Sequence, residues 1–205
     1  MTEIRIFVEG GGHSKRTQQR LREAFDRFLT QPKDAARERR IRWRLAICGG
    51  RGQTYRDFAW ALRAFPEAFN VLLVDSEAAV ARRPPEHLRT HDNWDCSLGT
   101  EENYHLMVQA MEAWLIADPE ALALFYGPRF GARAIPKQQN VEEIPKVDLQ
   151  TSLENATRGT QKGPYRKLDH GSALLGRIDP DKVRKRARHC GRLFAALTEV
   201  IQADP

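Results

Sequence analysis

The run Asn70-Val71-Leu72-Leu73-Val74-Asp75 constrains the fold of this chain more than any other feature. Its centre is apolar without alternation, so a strand here is buried on both faces, as in the middle of a parallel sheet. Residues 3–8 alternate Ile, Phe and Val with charge and run into Gly10-Gly11-Gly12, which reads as a strand stopped by a turn. Residues 43–48 form a second candidate strand, ended by Gly49-Gly50-Arg51-Gly52. Between these two, residues 16–29 place Leu21, Ala24, Phe25, Phe28 and Leu29 on one stripe of a helix with a basic outer face. Thr54 is placed to cap a second helix carrying Phe58, Ala59, Leu62 and Phe65, with Asp57 as a loose capping-box partner. Strand–helix–strand–helix–strand predicts an α/β fold, a Rossmannoid and mostly parallel sheet flanked by helices. Ligands of such sheets sit at the carboxyl ends of the strands, so the residues just after each strand are the candidates for chemistry.

Residues 82–103, rich in Pro, His, Asn and acid, read as a long loop. Residues 104–109 read as a short strand that turns into a helix around 111–117. Asp118-Pro119 and Asp179-Pro180 each start a helix, Asp as cap and Pro at the first helical position. From about residue 127, Gly, Pro, Lys and Gln break the periodicity, and helices are expected near 150–157, 167–177 and 191–202. The chain thus divides into an α/β core over 1–126 and a basic helical C-terminal extension over 127–205, packed together as one domain.

Composition narrows the class. No run approaches the roughly 18–20 apolar residues that span a bilayer, and the N-terminal apolar stretch is too short for a signal peptide. Cys48, Cys96 and Cys190 are odd in number, far apart and form no CxxC pair, so neither a disulfide framework nor structural zinc is expected. The expectation is a soluble cytoplasmic protein with no membrane partner. Its net charge of +6 is unevenly spread. Residues 15–44 hold 11 Lys/Arg against 4 Asp/Glu, and residues 158–192 hold 11 against 3, whereas residues 67–125 hold 3 against 11. Basic flanks around an acidic centre suit a metal site acting on a polyanion such as nucleic acid. Solvated helix faces give the same pattern.

Glu9 follows the first strand, and Asp75 and Glu77 close the third. In a parallel sheet all three reach one edge, and two residues apart in an extended segment puts Asp75 and Glu77 on one side. Mg²⁺ takes oxygen ligands and is commonly held by one or two carboxylates plus substrate phosphates. The plain alternative is that each acid caps a turn or helix. Gly10, Gly11 and the segment around Arg51 allow sharp turns whose N–H groups suit a phosphate. Neither is a Walker motif nor a dinucleotide fingerprint.

Val8-Glu9-Gly10 and Val74-Asp75-Ser76-Glu77 resemble the two signature motifs of the Toprim fold, shared by topoisomerases, primases and overcoming-lysogenization-defect nucleases. Over nearly its full length the chain resembles one bacterial branch, the Toprim-like domain-of-unknown-function family 4276. The matching stretches are Ile4 to Gly12, Leu72 to Glu77, Met111-Glu112-Ala113-Trp114 with Ala117-Asp118, and Lys162-Gly163 through His170-Gly171. The resemblance implies Glu9 as general acid/base or metal ligand, and Asp75 and Glu77 as ligands of Mg²⁺ or Mn²⁺, with Glu112 a further acidic member. Asp118 reads rather as a cap. Lys162 and Lys167 are implied either to stabilise charge on a transferring phosphoryl group or to position phosphate, and Arg166 and His170 of the same stretch to bind nucleic-acid phosphate. His105 and His170 also read as core or surface histidines. Of the four tryptophans, Trp43, Trp60 and Trp114 are expected in the core, and Trp94 as a loop contact.

The resemblance further implies a metal-dependent nuclease, often accompanied by an ABC- or AAA-type ATPase in prokaryotic defence. Toprim enzymes usually carry two aspartates where this sequence has Asp-Ser-Glu, which keeps open a non-catalytic, Toprim-shaped partner or nucleic-acid-binding subunit of an ATPase. A third reading is a small-molecule phosphotransferase or phosphatase, which calls for a closed pocket in place of an open basic groove.

Overall fold

The computed structural model describes residues 2–12 and 14–203. The sequence folds as β1 (Glu3–Val8), α1 (Lys15–Phe28), α2 (Thr30–Glu38), β2 (Arg42–Ile47), α3 (Arg51–Ala64) and β3 (Phe69–Asp75). These are followed by α4 (Pro84–Asp92), β4 (Tyr104–Met107), α5 (Met111–Ile116), α6 (Pro119–Tyr126) and α7 (Lys146–Thr157). A wide turn at Lys167–Gly171 then leads into α8 (Ser172–Leu175), α9 (Pro180–Arg186) and α10 (Arg188–Ala203). The sheet has the order β2-β1-β3-β4 and every pairing is parallel, the expected α/β architecture.

The continuous apolar run of β3 has a direct explanation. Val71 and Leu73 join Ile4, Ile6 and Val8 of β1 in the larger core, against α1, α5, α7, α8 and α10. Leu72 and Val74 face the other way, with Phe7, Tyr104 and Leu106, against Phe58 of α3 and Leu88 of α4. A strand between two helical layers has no face left for polar residues. The larger core draws on both halves of the chain, from Ile4 to Ile201. No helix of the described residues is long and apolar enough to cross a membrane.

Three local expectations need correction. Thr54 does not cap α3: the helix begins at Arg51 after Gly50, and the Thr54 hydroxyl donates back to the Gly50 carbonyl at 3.0 Å. Residues 82–103 are not one loop, because Pro84 and Pro85 open α4, where proline is tolerated in the first turn. Trp60 is 58 % exposed on α3 and lies outside the core. The two Asp-Pro starts hold, since Asp118 accepts from the Ala121 N–H and Asp179 from the Asp181 N–H.

Candidate active site

The parallel sheet brings the ends of β1, β3 and β4 to one edge, and the acidic residues there share a cleft. It has a volume of about 120 Å³ and is lined by Glu9, Gly10, Gly11, Asp75, Lys167 and Ser172, among others. The loop after Glu9 is built for close approach. Gly11 sits at φ +77°, and a Cβ there would lie 2.9 Å from the Gln18 Cα, so only glycine fits both the backbone and the space. Side chains of α1 hold this loop: Thr17 donates to the Gly11 carbonyl and Gln18 to that of Gly12.

Asp75, the last residue of β3, is buried and fully engaged. Its Oδ1 accepts the Met111 N–H at 2.8 Å, fixing the start of α5, and its Oδ2 lies 3.0 Å from Lys167 Nζ. The same ammonium is 3.3 Å from Oε2 of Glu112, whose other oxygen accepts from the buried Tyr165 hydroxyl at 3.0 Å. One lysine therefore bridges two buried carboxylates. Burial raises the pKa of Asp75, with the Glu112 charge adding to it against the pull of Lys167. Burial likewise raises Glu9, assisted by Asp75 and opposed by Arg51. Burial works against the Lys167 charge, but Asp75 and Glu112 outweigh it and its pKa stands above the ordinary lysine value. Tyr165 is pushed well up by burial and by Glu112, so it stays a hydrogen-bond donor.

Arg51, the first residue of α3, organises the other wall. It donates to Glu9 at 2.9 Å and to the Asp75 carbonyl at 2.5 Å, and it grips both oxygens of Asp92 at 2.6 and 2.7 Å. Its guanidinium lies over Trp94, which stacks on Tyr55 at 4.5 Å. A planar, five-donor fork suits this double role, which lysine could not fill. Although burial raises Asp92, its bonds to Arg51 prevail and its pKa is lowered.

The family model described as "Domain of unknown function (DUF4276)" matches residues 8–198. The chain belongs to the DUF4276 family. Neither a curated protein nor a solved structure matches it. Across this DUF4276 chain the fold sorts the residues singled out from sequence. Glu9, Gly10, Gly11, Asp75 and Lys167 line the cleft, with Arg51 and Glu112 bonded directly to residues that do. Glu77 stands beside them but turns away: it adopts φ +65° and pairs with Lys146 at 2.5 Å, while its charge still raises Glu9. Lys162 lies over the Phe125 ring at 5.2 Å, Arg166 pairs with Asp169, and His170 is buried with its Nδ1 3.0 Å from the Tyr126 hydroxyl. Those three stand apart from the cleft lining. Tyr165, Asp92 and Lys146 were missed from sequence, although Tyr165 lies inside the stretch Lys162–Gly171 that carried the resemblance.

The donor set fits a hard divalent cation. All donors are carboxylate oxygens, and both Glu9 and Asp75 are disfavoured as anions by burial, Glu9 further by the Asp75 charge and Asp75 by that of Glu112, a cost that a cation beside them would relieve. Among the described residues no three His, Cys, Asp or Glu side chains already stand as a metal-ligand group. Lys167, Arg51 and Lys146 hold the carboxylates instead.

Proposed function

We propose that this protein is a Toprim-type, metal-dependent nuclease that hydrolyses phosphodiester bonds of DNA or RNA, acting in prokaryotic defence, with an ABC- or AAA-type ATPase as partner. The observation that supports it most is the meeting of Glu9, Asp75 and Lys167, from two strand ends and a distant turn, at one small cleft, with Glu112 of α5 bound to the same lysine. At about 120 Å³ the cleft is below the ~300–1,000 Å³ of ordinary small-molecule sites. It takes a phosphoryl group whose remaining substrate lies outside, which favours a polymer over a small phosphate ester.

Glu9 and Asp75 would hold Mg²⁺ or Mn²⁺, joined by Glu112 and by Glu77 once it leaves Lys146. Such an ion, when bound, polarises the phosphate and lowers the pKa of its water. If Asp75 and Glu112 hold the ion and Glu9 stays off it, the pKa of Glu9, raised by burial, would suit it to exchange a proton with water or leaving group. Lys167 would turn from Asp75 towards the phosphoryl oxygens as charge develops on them. Tyr165 and the Met111 N–H fix Glu112 and Asp75, so the reorganisation falls on Lys167 and on the Glu77–Lys146 pair.

The test is cleavage of mixed DNA and RNA with Mn²⁺, Mg²⁺ or EDTA. Metal-dependent cutting is expected to fall about 100-fold or more in Glu9→Gln and in Asp75→Asn. Glu77→Gln, already tied to Lys146, should lose less. Cutting that survives both of the first two substitutions would move the site elsewhere. A second reading, a non-catalytic binding subunit, is favoured by one feature: Glu9, Asp75, Glu112 and Glu77 all have protein cations as partners. It requires nucleic-acid binding with no cutting, even with the partner ATPase present.

A further inference from the structure

A second groove runs beside the cleft, between α1 and α8. It has a volume of about 300 Å³ and is walled by Arg20 and Arg27 of α1 and by Arg177 just beyond α8. Ser172 lines both the groove and the cleft, so the two adjoin. The floor is shallow because the helices touch: a Cβ on Gly176 would lie 3.5 Å from the Ala24 Cα and 3.4 Å from the Arg27 Cδ. Among the described residues, Arg20, Arg27 and Arg177 pair with no carboxylate. Arg177 donates to the Ala173 carbonyl and lies over Phe125. The two acids at the groove are already engaged, Glu23 by Gln19 and Asp169 by Arg166. Arg20 and Arg27 are seven residues apart on one helix face, about 10 Å along its axis.

Resting on the nuclease reading, we infer that this groove is the track for the sugar–phosphate backbone of the substrate strand on one side of the cut. Arg20, Arg27 and Arg177 take successive phosphates beyond the one in the cleft. Contacts of this kind set the register of the strand and carry no sequence preference. They leave a thermodynamic mark, because each phosphate neutralised on a single strand contributes about 0.7 to the slope of log affinity against log salt.

The experiment measures that slope for an oligothymidylate in EDTA, where it stays uncut, alongside hydrolysis of bis(p-nitrophenyl) phosphate with Mn²⁺. In R20Q/R27Q/R177Q the slope should fall by about 2, while hydrolysis of the small diester, which never reaches the groove, matches wild type. R20K/R27K/R177K should keep the slope. So should R63Q/R133Q/R188Q, which removes the same charge from positions that do not line the groove. An unchanged slope in the first variant, or an equal fall in the control, overturns the track. If wild type with Mn²⁺ cuts neither the small diester nor the oligothymidylate but the slope falls as expected, the groove stands and the nuclease reading falls.

Discussion

At the scale of single residues, the site is a set of carboxylates placed where ions are poorly solvated. Asp75 shows this most clearly. Its folded pKa is raised from 3.8, so above that folded value the ionised carboxylate subtracts from stability, and below 3.8 it is protonated in both states and subtracts nothing. In EDTA, Asp75→Asn should therefore raise the melting temperature at pH 7, and the gain should fade as pH falls towards 3.8. A loss at pH 7 would mean that the Lys167 pair outweighs burial. Tyr165 is the opposite case, a buried donor whose single partner is charged. Tyr165→Phe leaves one Glu112 oxygen unsatisfied and should cost about 1–3 kcal/mol in denaturant unfolding. In sequence, Lys162 and Lys167 have equal standing. Only the turn at Lys167–Gly171 separates them, sending one ammonium to Asp75 and the other to Phe125.

At the scale of elements, the site is made by the segments just beyond the strand ends. The glycine loop after β1 folds back under α1, and Gly11→Ala should cost about 1–3 kcal/mol, since the residue must hold φ +77° against the Gln18 backbone. Equilibrium unfolding would show it. α5 presents Glu112 from its first turn because Trp114, fully buried and stacked on Phe28 at 5.2 Å, anchors the helix behind it. The same reasoning explains which elements are legible in the sequence. β3 is legible because its two faces meet two helical layers, leaving an unbroken apolar run. α4 is not, because Pro84 and Leu88 are its only buried residues and nine positions carry no apolar stripe. Spacing alone puts Asp75 and Glu77 on one side of an extended segment. The left-handed backbone at Glu77 breaks that rule and hands its carboxylate to Lys146.

At the scale of the whole molecule, a parallel sheet collects acids at one edge while the Arg-rich α1 and the turn into α8 carry opposite charge beside them. The layout is visible as charge blocks, but which basic residues border the cleft depends on the packing of α1 on α8, which no local pattern encodes. The central claim is that Glu9 and Asp75 exist to hold a divalent cation, and it is tested most directly by titrating Mn²⁺ into the protein by calorimetry, with free Mn²⁺ followed by electron paramagnetic resonance. Wild type should take up Mn²⁺ and release it to EDTA, Asp75→Asn and Glu9→Gln should lose most of that uptake, and Lys162→Gln should keep it. Uptake that is missing in wild type, or unchanged in both carboxylate variants, would contradict the claim.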